Sequence, residues 1–231
     1  MVAPIILALD TKDVSKAQEW IEIALPQIRN FKIGLEFYLK NGFAAVEKLI
    51  DQYQFDLFLD LKLHDIPNTV KGAVESVASL KPKFLTVHAS GGAKMIEAAA
   101  GALPYGSITA VTVLTSFTES DFLKLGHANK VEETVKLWAT IAIESGATSI
   151  VCSPFEAKLI RAISNDVVII TPGVRVLGDE IGDQARVMTP ADAIRNGADF
   201  VIIGRSITKE SSSGAEAMRV KIKQIIESLN S

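Results

Sequence analysis

Asp60, Lys62, His64 and Asp65 place four ionisable side chains within six positions, directly after the apolar run Phe55–Leu59. On a β-strand, residues two apart point to one side and the residue between them to the other. Asp60 and Lys62 would then present a carboxylate and an ammonium together, with Leu61 turned away. An isolated Asp/Lys pair is usually a solvated salt bridge that contributes little. Inside an apolar strand the same pair is buried, and buried charges persist only when paired. Lys32 on an earlier apolar run, Asp60, Lys62 and Asp65 can alternate in sign so that each keeps the next ionised. Asp60, His64, Asp65 and His88 also form a possible set of oxygen and nitrogen metal ligands, but the Lys62 ammonium among them would repel a cation. No G-x-G-x-x-G follows the first apolar run, so no dinucleotide is implied, and neither cofactor nor metal is expected.

These groups need a frame, and short β-branched runs alternating with longer amphipathic stretches supply one. The runs expected as strands are Ile5–Leu9, Phe31–Gly34, Phe55–Leu61, Phe84–Val87, Ile108–Leu114, Ser149–Val151, Val167–Ile170 and Phe200–Ile203. Most are continuously apolar, as parallel strands covered on both faces are. Helices are expected over Ser15–Ala24, Phe43–Gln52, Thr69–Ser79, Ala93–Gly101, Val131–Ser145, Pro154–Ile163, Thr189–Asn196 and Ala215–Leu229. Gly101, Gly146 and Gly197 fall where left-handed C-caps belong, and Asp13 and Ser153 are candidate N-caps. Eight such units in 231 residues, without repeat or linker, predict a single α/β domain over 1–231, a (β/α)8 TIM barrel. An open Rossmann-like sheet is the second choice. Chemistry in such a barrel sits at the C-terminal ends of the strands, which selects Asp10, Lys32, the segment from Asp60 to Asp65, and His88.

Composition narrows the partners. With 27 acidic and 24 basic side chains the net charge is −3, and no Lys/Arg-rich run offers a nucleic-acid footprint. The apolar share of 48% against 22% charged residues is that of a globular chain rather than a disordered one. Cys152 is the only cysteine, so no intrachain disulfide can form and a reducing cytoplasm fits. Val2 to Leu9 has no basic flank and falls far short of the ~20 residues that span a bilayer, so no membrane segment is expected. Cys152, Trp20, Trp138 and Met218 read as core, His127 as solvated, and His64 and His88 as structural hydrogen-bonding groups.

Taken as motifs, L-A-L-D (Leu7–Asp10), K-I-G (Lys32–Gly34), D-L-K-L-H-D-I-P-N-T (Asp60–Thr69), V-H-A-S-G-G (Val87–Gly92) and V-T-V-L-T-S (Val111–Ser116) resemble the orotidine 5'-monophosphate decarboxylase family. T-P-G-V-R (Thr171–Arg175), G-D-Q (Gly182–Gln184) and I-G-R (Ile203–Arg205) extend the resemblance over nearly the whole chain. The ten-residue segment at Asp60 is its most specific part. The resemblance implies a homodimeric, cofactor-independent carboxy-lyase that converts orotidine 5'-monophosphate to uridine 5'-monophosphate and CO₂ in pyrimidine biosynthesis. It further implies that Asp10 and Lys32 contact the ribose, that Lys32, Asp60 and Lys62 form a charged network, and that Asp65, Ile66 and Thr69 reach the neighbouring subunit's site.

The chemistry of that reaction agrees with the residues. Loss of CO₂ from C6 leaves an electron pair in an sp² orbital that the pyrimidine π system cannot delocalise, so stabilisation must be electrostatic. Lys62 is the expected source of that charge and of the proton, held ionised by Asp60 and Asp65. Gly204-Arg205-Ser206 follows the eighth strand and is expected to open a short helix that receives the phosphate, with Arg205 as a clamp. The glycine-bearing segment from Pro172 to Met188 reads as a long loop, a lid whose Arg175 and Gln184 would close over the phosphate and pyrimidine. Thr115 and Ser116 are candidate hydrogen-bond partners of the ring. Two alternatives stand beside this reading: a related Mg²⁺-dependent enzyme acting on a sugar phosphate, and a non-catalytic nucleotide-binding barrel.

Overall fold

The computed structural model describes residues 3–175 and 188–229. Eight parallel strands, β1 (Ile5–Ala8), β2 (Asn30–Gly34), β3 (Asp56–Leu63), β4 (Phe84–His88), β5 (Ser107–Val111), β6 (Ser149–Val151), β7 (Val168–Thr171) and β8 (Phe200–Ile203), pair in chain order, and β8 closes onto β1. Around them run α1 (Val14–Ala24), α2 (Leu35–Tyr53), α3 (Pro67–Val77), α4 (Ala93–Ala102), α5 (Glu119–Lys124), α6 (Val131–Glu144), α7 (Ala157–Ile163), α8 (Pro190–Arg195), α9 (Arg205–Thr208) and α10 (Ala215–Leu229). This is the expected (β/α)8 barrel rather than an open sheet.

The pleat sorts the side chains into two cores. Leu7, Phe31, Ile33, Leu57, Leu59, Leu85 and Val87 pack outward against the helices. Ile6, Phe58, Phe84, Val111, Val151 and Ile170 fill the lumen, where Phe84 meets Phe58 and Phe200 edge to face, each pair 5.8 Å between centroids. Truncating one of these rings would cost about 3–5 kcal/mol, so the lumen is a packed floor and not a pore. Because the period is two, Lys32 between Phe31 and Ile33 faces inward, as do Asp60 beyond Phe58 and Thr86 beyond Phe84. The inward positions therefore change from apolar to polar one rung above the floor.

Several boundaries differ from those read in the sequence. β3 runs on to Leu63, whereas β5 stops at Val111, three residues before the apolar run ends. α2 begins at Leu35 because Gly42, at φ 76°, joins two helical stretches across a kink. α5 is an additional helix, started by a Thr118–Asp121 capping box. Asp13 caps α1 as expected, accepting from Ser15 N at 2.8 Å and Lys16 N at 3.3 Å. Gly146 and Gly197 adopt positive φ of 95° and 102°. Gly101 does not cap its helix, since α4 continues through it to Ala102. Ser153 lies ahead of α7 and organises a turn instead, its N–H donating to Glu156 Oε2 at 3.0 Å.

Candidate active site

Four side chains from three strand ends form one line of alternating charge. Lys32 Nζ lies 3.0 Å from Asp10 Oδ1 and 3.4 Å from Asp60 Oδ2, and Lys62 Nζ lies 2.7 Å from Asp60 Oδ1. The side chains of Lys32 and Asp60 are only 11% and 10% exposed, against 31% for Lys62 and 54% for Asp10. Burial alone would push the Lys32 pKa down, but Asp60 and Asp10 outweigh it and hold the ammonium above its ordinary value. Burial alone would raise Asp60, yet Lys32, Lys62 and the hydrogen bonds from Lys62 and Thr86 hold its carboxyl below the usual range. Gly34 makes room for this line, because a Cβ there would come within 3.0 Å of Lys32 Nζ.

Asp60 and Lys62 do meet, though not through a regular pleat. Between the pairs Leu59↔Leu85 and Leu63↔Val87 the register shifts, so β3 holds four steps where β4 holds two. Within this bulge Lys62 adopts φ 48°, a left-handed conformation uncommon for a side chain of its kind. Leu61 packs toward the outer core, as the alternation required.

The line borders a cavity of about 740 Å³ at the C-terminal mouth, a size that accepts a nucleotide. Phe58, Val111, Val151 and Ile202 form its apolar floor. Opposite the lysines, the β7 and β8 ends add Arg175, Arg205 and Lys209. Among the described lining residues, Lys32, Lys62, Arg175, Arg205 and Lys209 stand against Asp10 and Asp60, three positive charges in excess, which favours a polyanion. Gly204 lines it too, and a Cβ on it would come within 3.3 Å of Ala8 Cβ. Arg205 opens the four-residue α9, as expected of this segment.

Other expected site residues are distributed differently. Thr115 lines the cavity, but Ser116 is exposed beside it and does not. Asp65 is absent from its own chain's charged line: its Oδ1 accepts from Ile66 N at 2.7 Å and it lies exposed, as do Ile66 at 67% and Thr69 in the first turn of α3. The expectation that Asp65 holds Lys62 ionised thus fails within one chain, because the turn after the bulge carries the carboxylate away. Arg175 N donates to Met188 O at 3.0 Å, joining the two ends of the intervening segment. Gln184 lies outside the described residues.

His64 and His88 pack as a tilted pair, centroids 5.5 Å apart, and among the described residues neither side chain has a hydrogen-bond partner. Burial, then the neighbouring His64 and Lys62, hold His88 below its ordinary pKa. His127 is half-buried rather than freely solvated: it stacks on Phe122 at 4.0 Å and 6° beside Trp138. All three histidines line a smaller cavity of about 210 Å³ behind Val113 and Leu114. Cys152 is buried, as expected, and also borders the main cavity, with burial and then Glu156 raising its thiol well above the ordinary value. Among the described residues Asp60, His64, Asp65 and His88 do not gather into a metal-ligand group. As site residues Thr86, Gly34 and Lys209 escaped the sequence reading, Gly34 entering it only as a strand end within the K-I-G motif. A period-two count from Phe84 and an i, i+4 count from Arg205 would have found the first and last.

Fold and site together define a (β/α)8 barrel with a charged, anion-accepting centre at the C-terminal ends of its strands. The chain belongs to the Orotidine 5'-phosphate decarboxylase / HUMPS family, whose model matches residues 3–220. It is 50% identical over 218 residues to an orotidine 5'-phosphate decarboxylase of Thermobifida fusca, covering 94% of each chain. It is 41% identical to the one of Paramagnetospirillum magneticum, covering 96% of this chain and 98% of the other. The crystal structure of orotidine 5'-phosphate decarboxylase from Lactobacillus acidophilus superposes with a TM-score of 0.83 at 30% identity, covering 99% and 100% of the two chains.

Proposed function

We propose that this chain is a carboxy-lyase that converts orotidine 5'-monophosphate to uridine 5'-monophosphate and CO₂ without a cofactor, in the synthesis of pyrimidine nucleotides. The observation that carries this reading is the Asp10–Lys32–Asp60–Lys62 line facing a cavity with an excess of positive charge. The substrate bears one carboxylate and one phosphate, which suits that excess. In the reaction the bond from C6 to the carboxylate breaks, CO₂ leaves, and the electron pair remains on C6. Lys62 stabilises that pair as a fixed ammonium and passes a proton from Nζ to C6; the resulting amine regains its proton from solvent. Asp60 keeps Lys62 and Lys32 in place, Asp10 and Lys32 hold the ribose, and Thr115 with Ser116 address the ring. Arg205, with Gly204 beside it, receives the phosphate, and Arg175 and Gln184 close over phosphate and pyrimidine.

A homodimer completes the site in this reading, with Asp65, Ile66 and Thr69 supplied across the interface. Their exposure on the α3 side of the mouth supports it. A small-molecule nucleotide is then the partner, with no nucleic acid. No described helix is long and apolar enough to cross a membrane, and a single buried thiol is compatible with the cytoplasm. A magnesium-dependent sugar-phosphate chemistry at the same place is disfavoured because ammonium groups occupy both Asp60 oxygens. A non-catalytic nucleotide binder would have no use for so costly a buried line of charge.

The test is CO₂ and uridine 5'-monophosphate formation by the wild type and by Lys62→Ala. The variant loses charge stabilisation, worth roughly 10²–10³-fold, and proton donation, roughly 10²–10⁴-fold, so a fall of at least about 10⁴-fold with nucleotide binding retained is expected. Near-normal turnover of the variant would overturn the mechanism.

A further inference from the structure

Thr86 is completely buried and borders no part of the cavity, yet its hydroxyl joins both halves of the Lys62 residue. At the β3 bulge the ladder to β4 is interrupted. There the Lys62 N–H donates to Thr86 Oγ1 at 2.8 Å. Thr86 Oγ1 lies 3.1 Å from Asp60 Oδ1, and the same oxygen accepts from Lys62 Nζ at 2.7 Å. The directions in this cycle are fixed. A backbone N–H can only donate and an ionised carboxylate can only accept, so the single Thr86 proton must go to Asp60.

We infer that Thr86 is a positioning residue for the decarboxylation: its hydroxyl holds Lys62 in the left-handed bulge conformation and fixes the Asp60 oxygen on which the Lys62 ammonium rests. The inference builds on the proposed role of Lys62 as proton donor. A left-handed backbone is disfavoured for Lys, so something in the surroundings must retain it. Among the described residues no other side chain is bonded to both the main chain and, through Asp60, the side chain of that residue. Without the hydroxyl, Lys62 can relax toward ordinary strand geometry, which swings Nζ off its station. Rate should suffer while substrate capture, which Arg175 and Arg205 across the cavity still serve, should change little.

Thr86→Val keeps the shape and removes the hydroxyl, and Thr86→Ser keeps the hydroxyl and removes the methyl. The expected result is a kcat for Thr86→Val at least about 30-fold below wild type with KM changed by less than about threefold, on the reasoning that a loss confined to the bound state leaves capture intact. Thr86→Ser should recover most of the rate. If valine impairs folding, Thr86→Ala supplies a second variant without the hydroxyl. Equal losses for Ser and Val would assign the effect to packing and overturn the inference, as would a kcat for Thr86→Val within about threefold of wild type. A crystal structure of Thr86→Val decides the geometric half separately. Lys62 still left-handed with Nζ on Asp60 would refute the positioning role. A wild type that does not decarboxylate orotidine 5'-monophosphate would instead refute the proposed function.

Discussion

The left-handed backbone at Lys62 leads to a stability comparison whose sign, not only its size, is fixed by the structure. Lys62→Ala and Lys62→Gly both remove the 2.7 Å ion pair with Asp60, so that loss cancels between them. At an ordinary strand position glycine is the worse choice by roughly 0.5–1 kcal/mol, because it loses more conformational freedom on folding. At φ 48° alanine carries the left-handed penalty of about 1–2 kcal/mol, whereas glycine carries none. The difference leaves Lys62→Gly ahead by about 0.5–1 kcal/mol, reversing the usual order. For a chain of this length that corresponds to roughly 2 °C in Tm, on a scale of about 2–4 °C per kcal/mol. Urea and thermal unfolding at one fixed protein concentration would measure it, and both variants should be inactive. An alanine variant as stable as the glycine variant, or more so, would refute the claim that the bulge holds Lys62 in this conformation.

Three further outcomes are expected. Mixing inactive Asp65→Ala with inactive Lys62→Ala should restore activity, because one site of each heterodimer then carries neither lesion; demonstrated subunit exchange without recovery would place Asp65 in its own chain's site. Arg205→Ala should lower kcat/KM by at least ~100-fold, about 2.7 kcal/mol, and the two enzymes should converge on orotidine lacking its phosphate; a persisting gap on that substrate would mean the lost contact is not with phosphate. His88 is held below its ordinary 6.5, so the unfolded chain binds its proton more readily and stability should fall as pH drops from 6.5 toward the folded value. Unfolding free energies of wild type and His88→Gln at about pH 5 and about pH 7 would show it, and parallel pH slopes would exclude His88 as the source.

The barrel was legible because its parallel strands are covered on both faces and read as continuous apolar runs. The same feature hid where strands stop. Val113 and Leu114 prolong the run of β5 after its last bond to β6, from Thr112 N to Val151 O, since an apolar side chain does not reveal whether its backbone is still paired. Gly42 broke the helical periodicity of α2 and hid the segment before it. The charged line was legible from residue type and strand position at Asp10, Lys32, Asp60 and Lys62. The bulge was not, because register belongs to β3 and β4 jointly and neither sequence alone contains it. Asp65 was misplaced within the chain for the same reason: sign alternation along a sequence carries no information about the turn that separates it from Lys62. His127 read as solvated because its stacking partner Phe122 lies on α5, a helix the apolar pattern did not show.

The division of the lumen explains how one chain can afford such a site. Below, Phe58, Phe84 and their neighbours exclude water and fix the strand ends. Directly above, Asp60 and Lys32 are charged at about a tenth exposure, an arrangement that costs folding free energy unless each charge finds its partner. Lys32 has two carboxylates within 3.4 Å, and Asp60 has two ammonium groups and the Thr86 hydroxyl. Lys62, at one end of the line, has one carboxylate and a backbone conformation it would not choose, and Asp10, at the other end, has one ammonium. Satisfaction therefore decreases from the middle of the line toward its two ends. The ammonium left with the fewer carboxylates is the one that the proposed reaction requires to face a developing carbanion, so the frame reserves its unfilled electrostatic capacity for the place where negative charge appears.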